Sequence, residues 1–164
     1  MTSAAVPSAP LRVAIVGAGP AGLTLSHLLA EAGIDSIVID QRTREEIENT
    51  IRAGILEQGT VDLLKAIDPE TRVDTVGHRH DGIELRFQGE GHRIDFPGIV
   101  GSSVWLYPQH EALKDLLALR VRHQQDLRFG VTAERVDGVD TDSPRVFATA
   151  ADGTPLEIEA DFVV

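Results

Sequence analysis

One hexapeptide restricts the fold of this chain more than any other feature. Gly17-Ala18-Gly19-Pro20-Ala21-Gly22 follows the apolar run Leu11–Val16 and opens a helical pattern. Val13, Ile15 and Val16 suit a strand buried on both faces. Ala21, Leu25, Leu28, Leu29 and Ala32 recur at helical spacing and predict the inward face of the helix. Gly33 stands where a C-cap glycine belongs, and "SIVID" (36–40) reads as a second buried strand. Strand, helix and strand together make a βαβ unit of about thirty residues, whose crossover is right-handed.

Each glycine of the G-x-G-x-x-G spacing has a mechanical reason. Gly17 permits the tight turn out of the strand. Gly19 lets a diphosphate approach the backbone with no Cβ in the way, and Gly22 lets the helix pack closely on the sheet. The helix N-terminus adds free N–H groups and roughly +0.5 of a charge. Asp40 ends the second strand, eighteen residues beyond Gly22. An acid there accepts hydrogen bonds from ribose hydroxyls and disfavours a 2′-phosphate. The pattern points to a bound dinucleotide; the alternative is an ordinary strand–turn–helix joint beside a solvent-facing aspartate.

Residues 41–50 are polar and predict a loop with a helical turn. In "AGILEQGTVDLLKAI" Leu56, Leu63, Leu64 and Ile67 fall at helical spacing, and the helix is expected to stop before Asp68-Pro69. "GIELRF" and "HRIDF" alternate as a hairpin with Gly89 and Gly91 at its turn. Residues 109–124 predict a helix with Leu113, Leu116, Leu117 and Val121 inward. "VTAERVDGV", "RVFATA" and "PLEIEA" predict a β-meander. The final "DFVV" reads as the opening of a buried strand.

The formal charge of −11 argues against a nucleic-acid partner, which needs a basic surface. The chain has no cysteine, which removes disulfides and thiolate chemistry. No apolar stretch approaches the roughly 18 residues of a membrane span, and "MTSAAVPSAP" (1–10) reads as a short disordered leader, not a signal peptide. These features suggest a cytoplasmic protein whose folded part is 11–164. His78 and His80 form a H-x-H pair without a convincing third ligand, so no metal is expected.

"VGAGPAGLTLSHLLAEAGID", "IRAGILEQGTVDLL", "HDGIELRF" and "LYPQHEALKDLL" resemble, in this order, the flavin-dependent aromatic hydroxylases, and within them the 4-hydroxybenzoate hydroxylases. The resemblance runs through essentially the whole chain after the leader. It implies a Rossmann-like α/β fold with an antiparallel β-meander crossover, and FAD lying across the first βαβ unit. Gly17, Ala18, Gly19, Pro20, Ala21 and Gly22 match the diphosphate loop, and Asp40 the acid on the adenosine ribose. Alanine and aspartate replace a serine and a glutamate of the compared relative at positions 21 and 40. Thr50, Ile51, Arg52, Ala53, Gly54 and Ile55 match a second flavin-contacting stretch, in which the Arg52 guanidinium would face the pyrophosphate charges. Gln109 matches a glutamine that hydrogen-bonds the cofactor. Taken without the surrounding motif, Arg52 reads as a surface arginine at a helix entrance.

By the same resemblance His80 ends a proton relay from a phenolic substrate to solvent, a duty suited to an imidazole; otherwise it is an exposed loop histidine. Gln41, Arg42 and Arg44 would meet the nicotinamide reductant. Thr50 replaces an arginine of an NADPH-using relative, which leaves NADH and NADPH both open. The partners implied are a small phenolic acid such as 4-hydroxybenzoate and O₂; a homodimer stays open. In this family the last strand runs into a further flavin-contacting turn and a substrate domain. The chain is therefore expected to be an incomplete, N-terminal part that binds FAD weakly and is inactive alone. Two other readings use the same loop: a nicotinamide-dependent Rossmann dehydrogenase and a non-catalytic nucleotide-binding remnant.

Overall fold

A computed structural model describes residues 12–164; the leader expected over 1–10 lies outside the described residues. Chain order begins with β1 (Arg12–Val16), α1 (Pro20–Glu31), β2 (Asp35–Asp40) and α2 (Arg44–Asn49). It continues through β3 (Ile55–Glu57), α3 (Gln58–Ile67), α4 (Val73–Val76), β4 (His78–His80), β5 (Gly82–Phe87) and β6 (Glu90–Asp95). Next come α5 (Phe96–Val100), β7 (Val104–Leu106), α6 (Gln109–Arg122) and β8 (Leu127–Phe129). The chain closes with β9 (Val131–Asp137), β10 (Arg145–Ala150), β11 (Pro155–Glu159) and β12 (Phe162–Val163). Residues 12–43 and 124–164 make one compact unit, and residues 44–123 a second.

In the first unit four strands form a sheet in the order β12-β1-β2-β8, every pair parallel. Successive side chains leave opposite faces of a strand. Ala14, Ile37 and Ile39 therefore share a face, and it packs on Val131, Val146, Ala148 and Ile158 of the meander. The meander is antiparallel in the order β11-β10-β9, as its alternation predicts. The other face carries α1, which is followed by Gly33 at φ +72°.

The helix is where expected, but its buried face is not. Leu23, Ser26 and His27 are buried, whereas Ala21, Leu28 and Ala32 are exposed. Ser26 satisfies its hydroxyl within the helix by donating to the Leu23 carbonyl at 2.7 Å, so its burial strands no polar group. Val16 and Phe162, expected inside, are 42% and 59% exposed.

In the second unit β3, β7 and β4 form an antiparallel sheet, and β5 and β6 form the expected hairpin. Its turn is Gln88-Gly89, both at positive φ as a two-residue hairpin loop requires. Gly91 lies within β6 opposite Arg86, not at the turn. Leu56 belongs to β3, and α3 buries Val61, Leu64 and Ile67 while Leu63 is exposed. The helix ends before Pro69, with Asp68 as its C-cap. On α6, Leu113, Leu116 and Leu117 are buried as expected, but Val121 is exposed and Leu119 and Arg120 are buried instead. No helix among the described residues is long and apolar enough to cross a membrane.

Candidate cofactor-binding site

The turn from β1 into α1 is shaped by three glycines used in three ways. Gly17 sits at φ +120°, which a side chain resists. A Cβ on Gly22 would stand 2.2 Å from the Gly17 carbonyl oxygen and 3.1 Å from Ile15 Cγ2, so helix and turn touch backbone to backbone there. A Cβ on Gly19 would meet nothing within 4 Å. The space above Gly19 is open, at the N-terminus of a twelve-residue helix that has no side-chain cap and no acid in its first turn. Pro20 occupies the first turn, where its missing N–H costs nothing. An anion finds the positive helix end and bare backbone together.

The second strand holds this turn in place. Gly17 N–H donates to the Ile39 carbonyl at 2.8 Å, and Ala18 N–H to Asp40 Oδ2 at 2.8 Å. Arg42 closes over the same carboxylate. Its backbone N–H and Nε donate to Oδ1, both at 2.9 Å, and its Nη2 donates to Oδ2 at 2.7 Å. Burial pushes the Asp40 carboxyl up, but the hydrogen bonds from Arg42 and Ala18 outweigh it and hold the group below its usual range. Asp40 is 5% exposed, so the solvent-facing aspartate of the alternative reading is not what the fold contains.

The other expected residues lie in the second unit. Thr50 donates its hydroxyl to the Glu46 carbonyl beyond the end of α2. Ile51, Arg52 and Ala53 are exposed, and among the described residues Arg52 has no carboxylate partner. Gly54 is buried. A Cβ on it would stand 2.0 Å from the Tyr107 carbonyl oxygen and 2.6 Å from Pro108 Cα. Tyr107 N–H returns a hydrogen bond to the Gly54 carbonyl at 2.8 Å. This contact brings the 50–55 stretch beside Gln109, the first residue of α6. Ile55 pairs with Leu106, and His80 with Val104 on the same β7, so His80 is an exposed strand residue rather than a loop residue.

Sequence reasoning missed the buried carboxylate of Asp115, which gathers Tyr107, Thr71 and Arg72 around it. Its partners are eight and more than forty positions away, so no local pattern reveals it. Among the described residues no cluster of three or more His, Asp or Glu side chains is placed to hold a metal ion.

A parallel sheet with a bare glycine turn at an uncapped helix end, tied to an acid on the second strand, defines a dinucleotide-binding protein of the Rossmann type. The sequence carries the assignment further. A family described as FAD binding domain matches residues 10–164, and the chain belongs to it. It is 37% identical over 153 residues to the p-hydroxybenzoate hydroxylase of Acinetobacter baylyi, spanning 93% of this chain and 37% of that protein. It is 34% identical to the 3-(3-hydroxy-phenyl)propionate/3-hydroxycinnamic acid hydroxylase of Burkholderia cenocepacia, over 93% of this chain and 28% of that one. The fold matches p-nitrophenol 4-monooxygenase PnpA of Pseudomonas putida with a TM-score of 0.79 at 18% identity, covering 94% of this chain and 40% of that chain. The chain thus spans under half the length of these relatives, and its fold is that of the FAD-dependent monooxygenases.

The residues present fit FAD. The open approach to Gly19 and the positive end of α1 suit its diphosphate.

Proposed function

We propose that this chain is the FAD-holding part of an NAD(P)H-dependent flavoprotein monooxygenase acting on a phenolic acid such as 4-hydroxybenzoate. The observation that carries the reading is the open space above Gly19 at the uncapped end of α1, which suits a diphosphate. The relatives whose names specify hydroxylation of phenolic acids support the substrate class.

In this reading Gly17–Gly22 and the N-terminus of α1 receive the pyrophosphate, and Asp40 keeps Ala18 in place and accepts a ribose hydroxyl once the Arg42 guanidinium turns off its carboxylate. Arg52 faces the pyrophosphate charge, and Gln109 donates to the cofactor. His80, exposed on β4, passes the phenolic proton to solvent. Gln41, Arg42 and Arg44 meet the nicotinamide. FAD supplies the redox chemistry with O₂; the protein binds, orients and shields it. The balance is NAD(P)H, H⁺, O₂ and phenol giving NAD(P)⁺, water and the ring-hydroxylated product.

Titration of the purified chain with FAD, followed by quenching of flavin fluorescence, tests the assignment. Saturable binding of FAD that NAD⁺ does not displace supports it. Binding of NAD⁺ without affinity for FAD favours the dehydrogenase reading and defeats this one.

A further inference from the structure

The main chain of the Arg52–Gly54 stretch leans on Tyr107, and Tyr107 is itself fixed from behind. Its side chain is fully buried, and its hydroxyl donates to Asp115 Oδ2 at 2.6 Å. The same oxygen accepts the Thr71 hydroxyl at 2.9 Å and the Arg72 N–H at 3.0 Å, and Oδ1 accepts Arg72 Nε at 2.6 Å. Arg72 reaches on to Glu111 at 2.8 Å, which Lys114 also meets at 2.7 Å. Four donors thus converge on one carboxylate that is 9% exposed.

An apolar side chain at position 115 would fill this space without desolvating a charge. What the carboxylate adds is orientation, since each donor fixes one direction. The Tyr107 hydroxyl lies on the ring's own axis, so its bond to Asp115 leaves ring flips free but opposes any tilt or slide of the side chain. Its backbone cannot shift without breaking the 2.8 Å bond to the Gly54 carbonyl or opening the close approach to Gly54. Asp115 and Gln109 also ride on the same helix, α6.

We infer that Asp115, acting through the buried Tyr107 hydroxyl, is a positioning residue that sets the Arg52–Gly54 backbone and Gln109 for FAD. This rests on the reading of that stretch as a cofactor contact. Neither side chain needs to touch the cofactor for the effect to operate: residues that support metal ligands change affinity by about tenfold or more when altered, and the same orienting logic applies to a cofactor contact.

The test uses the full chain with Tyr107→Phe, Asp115→Asn and Arg52→Gln, singly and with Tyr107→Phe and Arg52→Gln combined. Tyr107→Phe removes one oxygen and little core volume and leaves Asp115 three of its four donors, so it is the variant expected to stay folded even where Asp115→Asn does not. Three quantities are read: FAD affinity, the visible circular dichroism of bound FAD at saturation, and hydrogen exchange of the Tyr107 amide. The expected result for Tyr107→Phe is about tenfold weaker FAD binding, an altered dichroism band and faster exchange. In the double variant its effect on affinity should shrink, because the Arg52 guanidinium is one of the groups it positions while the backbone and Gln109 remain. A lower melting temperature with unchanged affinity and dichroism would make the network merely structural and overturn the inference. So would full additivity with Arg52→Gln. If Arg52→Gln itself leaves FAD binding unchanged, the underlying reading of the stretch falls, and the inference with it.

Discussion

The same substitution three residues apart is expected to have opposite consequences. In Gly22→Ala the new methyl group would lie 2.2 Å from the Gly17 carbonyl oxygen, with Ile15 Cγ2 at 3.1 Å and Gly17 carbonyl carbon at 3.4 Å. The oxygen is backbone and is held through Gly17 N–H donating to Ile39, so it cannot rotate away as a side chain would. Helix and turn must separate by roughly 1 Å to restore ordinary contact. Overpacking of this kind costs about 1–3 kcal/mol, at about 2–4 °C of Tm per kcal/mol for a chain of this size.

Gly19→Ala meets no atom within 4 Å. Gly19 is at φ −81° and ψ 179°, which alanine adopts freely. Alanine is a poorer N-cap than glycine, at a cost below about 1 kcal/mol. Reduced freedom of the unfolded chain returns about 0.4–1 kcal/mol, so the net change in stability is near zero. The methyl group instead fills the approach expected of the diphosphate. A clash of about 1–3 kcal/mol there weakens FAD binding about 5- to 150-fold. Thermal melts without cofactor and flavin-fluorescence titrations measure the two effects separately. FAD affinity unchanged in Gly19→Ala would refute the reasoning, because the open face of the turn would then not be where the cofactor sits. A Gly22→Ala melt indistinguishable from wild type would refute the packing half.

Asp40→Asn should flatten the acid limb of stability. The Asp40 carboxyl lies below the usual 3.8 when folded, so its contribution is full above 3.8 and is lost as pH falls through the lower folded value. Urea denaturation between pH 2 and 7 should show the variant less stable at neutral pH and less sensitive to acid; equal slopes would contradict this. Gly54→Ala drives a methyl group against the Tyr107 carbonyl and should cost about 1–3 kcal/mol of stability as well as FAD affinity. A normal Tm in that variant would show that the contact yields at no cost. Arg52→Gln should leave stability within about 0.5 kcal/mol of wild type, the side chain being exposed with no carboxylate partner among the described residues. Its FAD affinity should fall about 10- to 150-fold, the worth of one charge-assisted hydrogen bond; a fall in Tm with intact affinity would reverse the assignment.

The parts of the fold visible in the sequence are those whose causes are local. The first strand, the glycine turn, the helix and the second strand each carry their own period and their own punctuation, and all four stand where expected. The hairpin and the meander are legible for the same reason. Three-residue strands such as β7 and β8 are too short to establish a period. Helix faces depart from the apolar pattern where burial falls on polar side chains. Hydropathy selects Leu28 and Val121, but the fold buries Ser26, His27 and Arg120 on those helices. Ser26 can be buried because its hydroxyl bonds within its own turn, a possibility no apolar count includes.

The candidate site divides along the same line. The glycine loop is legible because its constraint is steric and spans six residues; the resemblance to a family, not any local rule, brought Arg52 and Gln109 forward. Asp115 was invisible to both, since its worth comes from Thr71, Arg72 and Tyr107 arriving from separate elements. The difference has a physical origin. Binding groups must present bare backbone or an exposed charge, and both leave marks in composition: glycine where a Cβ would intrude, arginine where a charge is to be met. A supporting carboxylate needs only to accept hydrogen bonds from whichever donors the fold delivers, so its surroundings in sequence are unconstrained. Sequence reading therefore reaches the surface that touches a ligand sooner than the framework that aims it, and in this chain that framework is the Tyr107–Asp115 pair behind Gly54.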